Sequence, residues 1–78
     1  MLPKASVVQP QLDYVLLLVF SNGEQKQFDM TPYLHYPVFQ RLQNPGFFKL
    51  SKMHYGTVIW SGDIDIAPET LYLDSKIS

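Results

Sequence analysis

The stretch Tyr14-Val15-Leu16-Leu17-Leu18-Val19-Phe20, followed by Ser21-Asn22-Gly23-Glu24, decides how this chain is read. As a strand it is apolar on both faces: Tyr14, Leu16, Leu18 and Phe20 on one, Val15, Leu17 and Val19 on the other. A strand with two apolar faces belongs in the middle of a sheet, covered on each side. Asn22-Gly23 predicts a hairpin of type I′, with positive φ at both central residues. The returning strand, residues 25–30 (QKQFDM), is more polar and is expected nearer an edge.

Upstream, residues 4–9 (KASVVQ) read as a short first strand closed by Pro10. Downstream, Pro32 fits a first helical turn capped by Asp29 or Thr31, and Pro37 splits the helix into residues 32–35 and 38–43. Phe39 and Leu42, three apart, are expected to face the core. Asn44-Pro45-Gly46 reads as a turn or cap before one helical turn at Phe47 and Phe48. Residues 50–55 and 57–60 (TVIW) read as two further strands joined at Gly56, and Ile64 and Ile66 as a short edge strand. Pro68 opens a final helical turn over residues 69–72, with Leu71 and Tyr72 pinned on the sheet, and residues 74–78 are expected to fray. Trp60 is expected to be buried, its indole N–H bonded to a carbonyl.

The order β-β-β-α-β-β-α predicts an α+β fold: a small, mostly antiparallel sheet packed on one face by the helices of residues 32–43, in one domain over residues 1–78. The opposite face carries Val15, Leu17 and Val19, and little chain is left to cover it. A homodimer, or a second small protein chain, is the simplest cover.

Composition excludes several classes. The 78 residues are 46% hydrophobic and 17% charged, with six Lys and Arg against seven Asp and Glu. That is a foldable composition, not a disordered tail. Lys4, Lys26, Arg41, Lys49, Lys52 and Lys76 are scattered, so no direct nucleic-acid contact is expected. There is no cysteine, which removes disulfides, thiolate metal sites and thiol nucleophiles. The longest apolar run, Val15 to Phe20, is far short of the ~20 residues that span a bilayer. With no apolar stretch of signal-peptide length after Met1, a cytoplasmic location is expected.

Three segments carry a resemblance: Tyr14 to Glu24; Phe28-Asp29-Met30; and Gly56-Thr57-Val58-Ile59-Trp60 with Asp65-Ile66-Ala67-Pro68-Glu69-Thr70-Leu71-Tyr72. Together they resemble the prokaryotic family called Domain of Unknown Function 2442, over nearly the whole chain. The last segment is the most specific. The resemblance implies a small α+β domain with no catalytic residue to carry over. In some relatives this domain precedes a helix-turn-helix module, a half expected to be absent here. Others look like stand-alone partners in toxin–antitoxin-like pairs.

Candidate chemistry is sparse. Asp63, Asp65 and Glu69 suggest a Mg²⁺ or Ca²⁺ site, but alternating acids also discourage edge pairing, and Glu69 suits a helix N-terminus. His35 or His54 with Ser51 or Asp29 supplies a base on paper, yet no spacing supports a triad. The aromatic stretch Tyr33, Tyr36, Phe39, Phe47, Phe48 and Tyr55 suits core packing plus a partner-facing patch better than base stacking, which needs a basic groove. The expectation is a non-enzymatic protein–protein interaction module without cofactor, antitoxin-like or regulatory, with Val15, Leu17, Val19, Tyr36 and Phe48 at its interface. A nucleic-acid-associated transcriptional regulator component and a small metal-dependent enzyme are the alternatives.

Overall fold

The computed structural model describes residues 2–61 and 64–77. Among these, seven strands form two antiparallel sheets. The first contains β1 (Ala5–Pro10), β2 (Val15–Phe20), β3 (Gln25–Asp29) and β7 (Lys76–Ile77), in the order β1-β2-β3-β7. The second contains β4 (Lys52–His54), β5 (Thr57–Trp60) and β6 (Ile64–Asp65), in chain order. Two α-helical segments, α1 (Pro45–Phe48) and α2 (Pro68–Leu73), and three 3₁₀ segments connect them. The fold is α+β, as the residue pattern predicts, but with two sheets where one was expected.

Strand β2 is central in the first sheet, and its alternation sorts the core. Leu16, Leu18 and Phe20 are buried; Val15, Leu17 and Val19 are half-buried on the reverse face. The buried set packs with Phe28 and Met30 against Val58, Trp60, Ile64 and Ile66 from the second sheet, and against Leu42, Phe48 and Leu71. The cover of this face is therefore the second sheet as much as the helices. Each such buried side chain contributes about 1.5–3 kcal/mol.

The turns depart from expectation in an informative way. At Ser21-Asn22-Gly23 only Gly23 has positive φ, +87°. The Gly23 amide donates to the Phe20 carbonyl and the Phe20 amide to the Glu24 carbonyl, a type I turn followed by a left-handed bulge residue. The Asn22 side chain accepts the Glu24 amide at 3.1 Å, which favours this local turn over type I′. The two-residue I′ loop lies instead between β4 and β5, where His54 pairs with Thr57 and both Tyr55 (φ 48°) and Gly56 (φ 83°) are left-handed.

The helical excursion is mostly 3₁₀. Residues 31–33 and 37–43 form two pieces, and Pro37 begins the second. Asp29 accepts the Thr31 amide at 2.9 Å. With three residues per turn, Phe39 and Leu42 lie in one row; Leu42 is fully buried and Phe39 packs, partly buried, against the core. Asn44 caps α1, its side chain accepting the Gly46 amide at 2.8 Å. The Trp60 indole donates to the Phe48 carbonyl at 2.9 Å.

The tail is ordered where fraying was expected. Ser75 is buried and its hydroxyl donates to the Tyr72 carbonyl at 2.8 Å. Lys76 and Ile77 then pair with Gln27 and Lys26, closing an edge of β3 that would otherwise leave amides unpaired. Lys26 points inward, 9% exposed. Its ammonium donates to the Tyr72 carbonyl at 3.1 Å and lies 3.6 Å from the Tyr72 ring centre. The ion is thus held by a hydrogen bond and a ring face together.

Candidate functional site

The reverse face of the first sheet is built by register. Directly opposed residues in a ladder share a face. Val19 opposes Val7 on β1 and Gln25 on β3; Leu17 opposes Gln9 and Gln27; Val15 opposes Asp29; and Gln27 opposes Lys76 on β7. The result is an apolar band, Val7-Val19-Leu17-Val15, bordered by three glutamines, with one acid and one base on the β3–β7 side. A shallow depression at its centre is formed by β1, β2 and β3 alone. Val7 is 44% exposed. Among the described residues nothing roofs Leu17 or Val19, while Pro32 and Tyr33 flank the Val15 end.

The structure brings Val15, Leu17 and Val19 together and adds Val7. Sequence reasoning missed Val7, although its pairing opposite the apolar stretch was implicit in the first hairpin. Tyr36 lies elsewhere: it is exposed and lines a notch with Tyr33, Phe39, Met30 and Ile66. Phe48 corrects the expectation outright. It is buried, with Tyr14 edge-on at 5.3 Å and Trp60 tilted at 5.9 Å between ring centres. The single turn of α1 points it inward, so it has no face to offer a partner. Its neighbour Phe47 is only partly buried, and the Arg41 guanidinium lies 4.7 Å over its ring.

Two hydroxyl–carboxylate pairs tie residues 72–74 to Glu24, just before β3, and to Tyr33 in the 3₁₀ turn of residues 31–33. Tyr33 donates to Asp74 at 2.7 Å. That bond is the main reason its phenol is pushed up to about 12, with burial adding to it. Tyr72 donates to Glu24. This bond, then the one from Asn22, holds the Glu24 carboxyl below its usual range; the bond to Glu24, with burial adding to it, raises the Tyr72 phenol.

Of the three acids considered for a cation, Asp63 lies outside the described residues. Asp65 is exposed on β6 and Glu69 stands in the first turn of α2. Among the described residues no three His, Asp or Glu side chains gather as a metal site would need. His35 and His54 rest against Tyr36 and Tyr55, each 4.4 Å between ring centres. The Ser51 hydroxyl is buried without a hydrogen-bond partner among the described residues, so it forms no pair with a base there. No helix among the described residues is long and apolar enough to cross a membrane.

These features define a class: a small antiparallel α+β protein of two packed sheets, one of them with an apolar row on its reverse face. Residues 5–76 match the family described as "Protein of unknown function (DUF2442)", and the chain belongs to that family. No curated protein and no solved structure matches it.

Proposed function

We propose that the protein is a non-enzymatic interaction module that docks a second protein chain on the reverse face of its first sheet. The carrying observation is the band Val7-Val19-Leu17-Val15, a row of apolar side chains on a face that no described residue roofs at its centre. Burying such a row against a partner releases its ordered water, and the flanking Gln9, Gln25 and Gln27 supply the polar rim that interfaces use. A second copy of the chain is the simplest occupant. One acid, Asp29, and one base, Lys76, lie on the same face, so two copies related by a two-fold axis meet without net repulsion. The family resemblance extends the same surface to a small protein partner in an antitoxin-like role.

Sedimentation equilibrium of the full chain and of Leu17→Glu tests this. The expected result is a reversible, concentration-dependent dimer that the substitution converts to monomer while its melting temperature holds. A wild-type chain that stays monomeric at millimolar concentration, and retains no protein from native lysate that Leu17→Glu loses, overturns the proposal.

A further inference from the structure

The second surface feature is independent of the sheet face. Between residues 31–43 and the start of α2 lies a notch of about 210 Å³ whose lining includes Tyr33, Tyr36, Phe39, Met30, Ile66 and Asp65. Tyr36 and Phe39 stand at 55° and 87° to the Tyr33 ring, with ring centres 6.2 and 6.4 Å away. Three ring planes therefore form a corner rather than a stack. Tyr33 is fixed in that corner, stacked on Phe28 at 5.4 Å and held through its hydroxyl by Asp74. Among the described residues no Lys or Arg lines the notch, and Asp65 is the one charged residue of its lining. The Asp65 carboxylate has no hydrogen-bond or ion-pair partner among the described residues.

We propose that this notch binds an alkylammonium headgroup. Ring faces carry the negative end of the aromatic quadrupole and attract a cation within about 6 Å. A methylated ammonium suits the site in three ways. Its methyl groups pack on the rings, on Met30 and on Ile66. It is weakly hydrated, so entry into an apolar notch costs little. Its charge complements Asp65, which stands exposed and unpaired at the site. A simple apolar group would gain the packing but nothing from the carboxylate, and an anion would be repelled by both.

The chemistry is shared by small quaternary amines and by methylated lysine on a protein tail. The test separates cation from grease and one source from the other. The full chain is titrated with choline, with its neutral isostere 3,3-dimethylbutan-1-ol, and with acetylated, amidated trimethyllysine. Methyl shifts of Met30 and Ile66 are followed at constant ionic strength. The expected result is saturable shifts with choline, about fivefold weaker binding of the neutral isostere, and a comparable loss for choline in Tyr36→Ala and in Asp65→Asn. Both variants change exposed side chains, so their folding is checked by melting. Stronger binding of trimethyllysine than of choline assigns the source to a protein tail; the reverse assigns it to a free amine. Equal binding of choline and its isostere, or shifts indifferent to both substitutions, overturns the proposal.

Discussion

The Ala5 amide donates to the Gly56 carbonyl across 3.1 Å, and this bond joins the two sheets. Ala5 begins β1 and Gly56 is the second residue of the β4–β5 turn, so the tip of one hairpin is fastened to the edge of the other sheet. Lys4 sits over the same spot: a methyl group on Gly56 would lie 2.9 Å from its Cβ and Cδ. The same glycine also has φ +83°. Backbone angle and close approach both call for a residue with no side chain.

Gly56→Ala is therefore expected to destabilise the protein by about 2 kcal/mol. Thermal unfolding followed by circular dichroism should show a drop of roughly 8–16 °C, at about 4–8 °C per kcal/mol for a domain of this size. An unchanged melting temperature would refute the strain assigned to this site.

The residue before it gives the opposite prediction. Tyr55 is left-handed at φ 48° and 89% exposed, so little packing supports an angle that tyrosine disfavours. Asn is the preferred partner of Gly in this turn. Tyr55→Asn is expected to stabilise by about 0.5–1 kcal/mol, read as a higher urea midpoint at unchanged slope.

Trp60→Phe removes the indole N–H from the Phe48 carbonyl and leaves a gap in the core. The lost bond and the gap together are expected to cost about 2–4 kcal/mol. Because the carbonyl belongs to α1, hydrogen exchange in residues 45–51 should rise more than in β2.

The Tyr33–Asp74 pair makes a prediction in alkali. The phenol is raised from 10.0 to about 12 in the folded chain. Its stabilisation is full below pH 10 and is lost as pH rises through about 12, because the folded state holds the proton more tightly than the unfolded state does. Tyr33→Phe should flatten the fall in stability over that window. Tyr72, also raised by its bond to Glu24, contributes a fall in the same direction. At the acid end the sign reverses. The depressed Glu24 carboxyl stabilises above its ordinary 4.5 and loses that contribution as pH falls, so Tyr72→Phe should blunt acid sensitivity.

Much of this was legible in the residues. The alternation of β2, the split at Pro37, the cap at Asn44 and the bonded indole of Trp60 all follow from local pattern and from the need to pair buried polar groups. The open face at Val15, Leu17 and Val19 was legible for the same reason. What was not legible depends on distant partners. Phe47 and Phe48 are adjacent and alike, and only Tyr14 and Trp60 decide which one is buried. Asn22-Gly23 carries the same dipeptide signal as a I′ turn, but the Asn22 side chain engages Glu24 and selects another. Ser75 to Ile77 look like a fraying end until β3 is seen to have a vacant edge.

The inward amine of Lys26 has a consequence for how β3 finds its place. A one-residue slip along β2 would swing Lys26 and Phe28 into water and drive Gln25 and Gln27 into the interior. The misaligned hairpin would lose an aromatic anchor and strand two amides at once, while α2 would find no ammonium beneath Tyr72. A lone cation among greasy neighbours thus serves as an indexing pin, leaving the strand one alignment in which every inward group is met.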